Sequence, residues 1–132
     1  GGEQLTLRVV AEHADCSNFG GKPDEWARKR EILKGHCAAV GRDESEIRKT
    51  WSPEVFIRST EAELAQRTKG GLWGDSVENW RDNNLVGTPE QVSEKIAQYV
   101  ELGCTGFIPW CADYPDTETL ELLATRVMPN FH

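Results

Sequence analysis

The stretch Leu85–Trp110 reads LVGTPEQVSEKIAQYVELGCTGFIPW and predicts a helix that leads into a short buried strand. Thr88 occupies an N-cap position, and Pro89 follows at the first helical position, where its missing N–H costs nothing. Gln91 can reach back to the cap. Apolar residues then recur at helical spacing on one face, at Val92, Ile96, Tyr99 and Val100. Gly103 favours the left-handed conformation that ends a helix, so the stretch is half of a repeating α/β unit.

The rest of the chain repeats this alternation. We expect helices at 3–13, 24–40, 61–65, around 77–80 and from 116 onward, and strands near 15–19, 51–57 and 105–110. Pro53 removes a ladder donor, so it should lie at the first paired residue of its strand or at a bulge. Gly35 destabilises its helix by about 1 kcal/mol relative to Ala. It marks either a local weakness of the helix or a point where the helix packs closely against another segment. The order αβαβαβα is typical of parallel crossovers.

The last predicted helix follows Asp116, which can cap it. Its core-facing residues are expected to be Leu120, Leu123, Ala124 and Val127. Pro129 should stop it.

Composition excludes several classes of function. The chain has 132 residues and a net charge of −7, which disfavours binding to a phosphate backbone and predicts no nucleic-acid partner. No apolar run approaches the roughly 20 residues that a membrane helix needs. Four widely spaced cysteines suit free buried thiols in a reducing cytoplasm rather than a zinc site. The five Trp residues fit either core filling or a pocket.

Ligands of parallel α/β proteins gather at the C-terminal ends of the strands. Residues at those ends are therefore the candidates for binding a small molecule, namely Asn18, Trp110, Asp113 and Tyr114. The alternative is that they serve only as ordinary turn and rim residues. The three histidines have no partner at a recognisable motif spacing, so we assign neither a catalytic residue nor a metal ligand.

Four segments carry a resemblance to a known family. The run Leu85–Val92, the N-terminal Gly1-Gly2, and the segments 7–15 and 36–43 resemble, in the same order, the luciferase-like flavin- or deazaflavin-dependent oxidoreductases and monooxygenases. Full members are (β/α)8 barrels of roughly 250 residues. The resemblance implies an α/β fold: the C-terminal part of a (β/α)8 TIM barrel, with about three parallel strands and outer helices, as a single domain over residues 1–132.

The resemblance also implies a cofactor, FMN or coenzyme F420, whose phosphate would lie against Gly1 and Gly2. Exposed N–H groups ahead of a helix can hold a phosphate. The strands that would carry most of the cofactor pocket and the catalytic groups lie outside these 132 residues. We therefore expect the isolated chain to bind cofactor poorly and to be inactive.

A second class of function stays open: a non-catalytic module that self-associates or binds a ligand or partner. A partial barrel leaves strand edges unpaired and exposes apolar strand faces. We therefore expect a homodimer that buries about 2,000 Å² or more.

Overall fold

The structure is a computed structural model that describes residues 2–131. The chain divides into two compact units, which are described separately: unit 1 is Gly1–Ser52 with Val100–Ile108, and unit 2 is Pro53–Tyr99 with Pro109–His132. In chain order the helices and strands are α1 Thr6–His13, β1 Cys16–Phe19, α2 Pro23–Val40, β2 Arg48–Trp51, β3 Glu54–Ile57, α3 Glu61–Ala65, α4 Val77–Asn83, β4 Leu85–Gly87, α5 Pro89–Glu101, β5 Gly106–Phe107, β6 Trp110–Cys111 and α6 Glu118–Leu122. A 3₁₀ turn covers Glu44–Glu46, and the chain continues after α6 with a π-helical turn, Leu123–Val127, and a 3₁₀ turn, Met128–Phe131.

Unit 1 contains a parallel sheet in the order β1–β2–β5. Asn18 lies opposite Thr50, which in turn lies opposite Gly106. The buried side of this sheet carries aromatic residues that pack edge to face: Phe19 contacts Trp26 of α2 with ring centroids 5.3 Å apart. Trp26 also donates its indole N–H to the Thr50 carbonyl, 3.4 Å away. The aromatic packing therefore holds α2 against the sheet.

Unit 2 contains a second parallel sheet in the order β4–β3–β6. All four residues of β3 are buried, as a central strand of a parallel sheet requires. On one side of the sheet, Phe56 and Val86 form a buried cluster with Leu64 of α3 and Trp80 of α4. Helix α5 buries Val92, Ile96 and Tyr99, as its spacing predicts, whereas Val100 is exposed.

The predicted strands are present, but two of them are split. The expected strand at 51–57 is two strands separated by Ser52 and Pro53, because proline cannot donate to the ladder. The expected strand at 105–110 is likewise two short strands separated by Ile108 and Pro109. Strand β4 is not expected from the sequence, because its three residues are too few to show an alternating pattern. Every strand pair within residues 2–131 is parallel.

The expected core face of the last helix is partly wrong. Val127 is buried, but Leu120 and Ala124 are exposed and Leu123 is only half-buried. Thr119 takes the core position instead. The reason is the π-helical turn at Leu123–Val127, which adds a residue to the turn and shifts the helical phase. Helix α6 itself begins at Glu118.

The cysteines and tryptophans divide between core and surface. Cys37 and Cys104 are buried free thiols as expected, whereas Cys16 is exposed. Three Trp residues fill the cores, and Trp73 and Trp110 are exposed. Within residues 2–131, no helix combines the length and the apolar character needed to cross a bilayer.

Candidate functional site

The C-terminal edge of the sheet in unit 2 carries a buried ion pair. Arg58 follows β3 directly, and Asp113 follows β6 by two residues. Arg58 Nη1 lies 3.0 Å from Asp113 Oδ2, and their side chains are only 13% and 4% exposed. Parallel strands bring their carboxyl ends to one edge, which explains why two residues so distant in sequence meet here.

Thr119 completes this arrangement. Its backbone N–H donates to Asp113 Oδ2 at 3.1 Å, and its hydroxyl oxygen accepts from Arg58 Nη1 at 3.1 Å. The Ile57 N–H at the end of β3 also donates to the same hydroxyl oxygen, at 3.2 Å. The ion pair therefore ties the start of α6 to the ends of two strands.

The electrostatics of Asp113 keep it ionised. Burial is the largest influence and raises the pKa of this carboxyl, but hydrogen bonds from Thr119 and Arg58, together with the positive charge of Arg58, outweigh it. The net pKa of Asp113 lies below its ordinary value. Among the described residues, Asp113 Oδ1 is buried without a hydrogen-bond partner. Asp113 can therefore accept a hydrogen bond but is a poor proton donor at neutral pH.

The other two predicted site residues of unit 2 flank Asp113 and are exposed. Trp110 donates its backbone N–H to the Pro53 carbonyl at 3.0 Å, and the residue is 58% exposed. Tyr114 is exposed and precedes Pro115 through a cis peptide bond. The structure thus places Trp110, Asp113 and Tyr114 in one segment, with Asp113 buried and the two aromatic rings exposed.

A buried carboxylate in β3 was not singled out from the sequence. Glu54 Oε2 accepts the indole N–H of Trp80 at 2.6 Å, and both of its carboxylate oxygens accept the backbone N–H of Leu72. A Cβ at Gly71 would collide with Glu54 and Trp80, so this position requires glycine. The signal that could have revealed Glu54 is a carboxylate within an apolar strand, because a buried charge needs dedicated donors.

Asn18 lies in unit 1 among hydroxyl groups. Its Oδ1 accepts hydrogen bonds from Thr50 Oγ1 at 2.9 Å and Ser52 Oγ at 3.3 Å. Cys16 Sγ lies 3.9 Å from the same threonine hydroxyl. These residues form a polar patch on the exposed side of the β1–β2 pair, where the Asn18 amide N–H groups remain available to a ligand.

The glycine pair is only partly described, because Gly1 lies outside the described residues. Gly2 has a φ of +94°, and its carbonyl accepts the Leu7 N–H at 3.0 Å, one residue into α1. A Cβ at Gly2 would approach Thr6 Oγ1 to 2.7 Å. The turn therefore requires glycine, and α1 begins at Thr6 rather than at the expected Glu3.

Other reactive groups are not arranged for catalysis. Burial raises the pKa of the Cys37, Cys104 and Cys111 thiols, which disfavours reactive thiolates. His36 Nε2 lies 3.0 Å from the Glu3 carbonyl, and His13 is exposed beside Glu12. The described residues contain no group of three or more His, Cys, Asp or Glu that could hold a metal ion.

Comparison with solved structures identifies the fold. The chain matches the coenzyme F420-dependent tetrahydromethanopterin reductase of Methanopyrus kandleri over 97% of its own length and 48% of that chain, with a TM-score of 0.74 and 16% identity. It matches EDTA monooxygenase from Chelativorans sp. BNC1 over 98% of its length and 44% of that chain, with a TM-score of 0.74 and 17% identity. The oxygenating constituent of 3,6-diketocamphane monooxygenase from Pseudomonas putida, a type II Baeyer–Villiger monooxygenase solved with FMN, matches over 98% and 46%, with a TM-score of 0.70 and 20% identity.

The chain spans less than half the length of these solved structures. No protein-family model matches the sequence, and no protein of curated function does. The neighbours are TIM-barrel enzymes, so the chain has the α/β fold of about half of a (β/α)8 barrel. The fold that the sequence resemblance predicts is thereby confirmed.

Proposed function

We propose that this chain is part of a luciferase-like flavin- or deazaflavin-dependent oxidoreductase or monooxygenase. The observation that carries the proposal is the match over 97% of the chain, at a TM-score of 0.74, to an enzyme named for its dependence on F420. A second neighbour was solved in complex with FMN. In such an enzyme the cofactor supplies the hydride or oxygen chemistry, and the protein positions it.

Each unit contains residues suited to binding the cofactor or the substrate. In unit 1, the Gly2 turn has a positive φ and no side chain beside the Thr6 hydroxyl, so its backbone can approach a cofactor phosphate closely. In unit 2, Asp113 Oδ1 is a buried acceptor at a strand end, and the rings of Trp110 and Tyr114 are exposed beside it in the chain. We propose these three residues as substrate contacts, with Asn18 as a polar contact in unit 1.

The test is fluorescence titration of FMN and of F420 against the chain alone and against the product of the whole natural reading frame that contains it, here called the extended protein. We expect weak or no binding to the chain alone and clear binding to the extended protein. Gly2→Ala should weaken binding, because its Cβ would meet Thr6, whereas Gly20→Ala meets nothing and should not. An extended protein that binds neither cofactor would overturn the proposal.

The apolar strand residues that were expected to be exposed are buried within the single chain at Trp51 and throughout β3. A self-associating module is still the second candidate, because other apolar side chains are exposed. On the C-terminal segment of unit 2, Leu120 is 55%, Met128 is 51% and Phe131 is 39% exposed. Among the described residues, β4 and β6 also pair on one edge only. A second copy of the chain would cover such a surface as a two-fold dimer.

Light scattering at low micromolar concentration tests this candidate. We expect a dimer, and we expect the double variant Leu120→Gln with Met128→Gln to be a monomer. Val40→Gln, at an exposed apolar residue of unit 1, is the control and should leave the dimer intact. A folded wild-type monomer would rule the candidate out.

A further inference from the structure

A cavity of about 470 Å³ lies in unit 2, in the segment that joins α3 to α4. Residues 67–72 and 74–77 line it. Its volume falls in the range of small-molecule sites, which is about 300–1,000 Å³. None of the candidate residues considered above for cofactor or substrate lines this cavity, so a ligand here would be independent of the proposed oxidoreductase function.

Arg67 presents an unneutralised cation to the cavity. Its guanidinium carbon lies 4.8 Å from the ring centroid of Phe56 and 5.1 Å from the ring of Trp80. These rings hold and partly desolvate the guanidinium without cancelling its charge. Its Nε donates to the Lys69 carbonyl at 3.0 Å. Among the described residues, no carboxylate lies within ion-pairing distance of Arg67, and its other N–H groups have no hydrogen-bond partner.

Lys69 supplies a second cation. Its side chain is exposed and makes no ion pair with any described residue. Asp75 is the one carboxylate in the lining, and it accepts a hydrogen bond from Asn79 Nδ2 at 3.4 Å. The carboxylate of Glu54 lies behind Gly71 and accepts hydrogen bonds from Trp80 and Leu72, but these neutral donors leave its negative charge in place. Among the residues that line the cavity themselves, two cations therefore face one carboxylate.

The remaining lining suits an organic molecule. Thr68 and Ser76 contribute hydroxyl groups, and Leu72 and Val77 contribute apolar surface. We propose that this cavity binds a small organic anion that carries a phosphoryl or sulfonyl group. Arg67 donates two parallel hydrogen bonds to that group, and Lys69 adds a second positive charge. The apolar residues contact the organic part, which accounts for a cavity larger than an inorganic ion needs.

Isothermal titration of the full chain with phenyl phosphate, at low ionic strength and pH 7.5, tests the proposal. We expect saturable binding that weakens as salt is added, because charge attraction is screened. Benzyl alcohol, which has the ring without the charge, should not bind. Inorganic phosphate should bind more weakly than phenyl phosphate, since it lacks the contacts with Leu72 and Val77.

Variants locate the binding. Lys69→Gln should weaken the affinity for phenyl phosphate about tenfold, as expected for a lost charge-assisted hydrogen bond. Asp75→Asn should tighten it severalfold by removing repulsion. Lys34→Gln is the matched control, because Lys34 is an exposed lysine without an ion pair in unit 1, and it should have no effect. Arg67→Gln should abolish binding while far-UV circular dichroism stays unchanged.

Three results would overturn the proposal. One is the absence of saturable phenyl phosphate binding to the wild-type chain. Another is an equal loss of affinity in Lys69→Gln and Lys34→Gln, which would indicate attraction to any surface lysine. The third is weaker binding in Asp75→Asn. If Arg67→Gln fails to fold, the exposed Lys69 and Asp75 variants still decide the question.

Discussion

Asp113 uses its two carboxylate oxygens differently. Oδ2 accepts from Arg58 and from the Thr119 backbone, whereas Oδ1 is buried without a partner among the described residues. A buried acceptor without a donor costs about 1–3 kcal/mol, which the ion pair must offset. The residue is thus held in place by one oxygen, and the other oxygen is the acceptor that we propose for a substrate donor.

Removing Asp113 should destabilise the fold strongly. We expect Asp113→Asn to lower the free energy of unfolding by about 3 kcal/mol at pH 7, because it leaves the Arg58 charge buried without its main partner. Glu118→Gln is the control: Glu118 contacts Arg58 at 3.3 Å but is 44% exposed, so its loss should cost less than about 1 kcal/mol. Urea melts measure both values, and equal losses would contradict the assignment.

The same pair predicts a pH dependence. Folding lowers the pKa of Asp113, so its contribution to stability is complete above about pH 4 and is lost as the pH falls through the folded-state pKa. Wild type should therefore lose stability more steeply than Asp113→Asn below that pH. If both proteins lost stability equally as the pH fell, another carboxyl group would be responsible for the acid unfolding.

The sequence places both Asp113 and the loop 58–60 after predicted strands, but it indicates neither the pairing of Arg58 with Asp113 nor a role for Glu54. Arg58 follows β3 just as directly, but its partner lies fifty-five positions away along the chain. Glu54 was assigned to the strand but given no role, because its donors lie on a loop and on α4. Such contacts depend on tertiary structure, which no local spacing reports.

At the scale of single elements, α5 follows its sequence closely. Thr88 and Gln91 form the reciprocal cap: the Thr88 N–H donates to Gln91 Oε1 at 3.0 Å, and the Gln91 N–H donates to Thr88 Oγ1 at 3.4 Å. Gly103 has a φ of +97° just beyond the helix. Caps and glycine stops act over four residues or fewer, which is why they could be predicted.

Two substitutions in this stretch should lower the free energy of unfolding by different amounts. Thr88→Ala should lower the free energy of unfolding by about 1 kcal/mol through the lost cap. Ile96→Ala should cost about 2–5 kcal/mol, because Ile96 is buried in the core. Denaturant melts compare them, and an Ile96→Ala variant as stable as wild type would show that the buried face is misassigned.

The long helix α2 contains a removable weakness. A Cβ at Gly35 would meet no atom within 4 Å, and the φ of this residue is not positive. Of the two sequence interpretations, a local weakness is therefore the correct one and close packing is not. We expect Gly35→Ala to raise the free energy of unfolding by about 1 kcal/mol, measured by thermal or urea melts. A destabilised variant would mean that the helix bends at this residue.

The end of the chain shows where element-scale prediction fails. The spacing of Leu120, Leu123, Ala124 and Val127 is ideal for an α-helix, but the π-helical turn changes which side faces the core. A single inserted residue rotates everything after it by roughly one hundred degrees. Apolar spacing alone cannot reveal such an insertion.

At the scale of the whole molecule, we predict that the chain unfolds as one domain. Each compact unit holds about half of the 132 residues, and cores of that size are marginal by themselves. Single-Trp variants that retain Trp51 in unit 1 or Trp80 in unit 2 should therefore report the same urea midpoint. Two separate midpoints would show that the units fold independently.

The fold class could be predicted because αβ alternation restricts the arrangements available to a chain. The division into two three-stranded sheets could not, because it depends on breaks at Pro53, which the sequence marked only as a strand start or a bulge, and at Pro109, which it did not mark. The location of the candidate site at strand ends could be predicted for the same topological reason. The hydrogen-bond and ion-pair partners of Asp113 could not.

Glu54 should also slow the hydrogen exchange of one backbone amide. Leu72 lies in a glycine-rich loop and is 63% exposed, yet its amide hydrogen is donated to a carboxylate buried in the central strand of unit 2. Deuterium should replace that hydrogen only when the bond to the strand opens, so Leu72 should exchange much more slowly than the adjacent Trp73. A nuclear magnetic resonance exchange series would then show a slow amide next to a fast one. Glu54→Gln should speed its exchange, because the amide that replaces the carboxylate offers one oxygen acceptor rather than two.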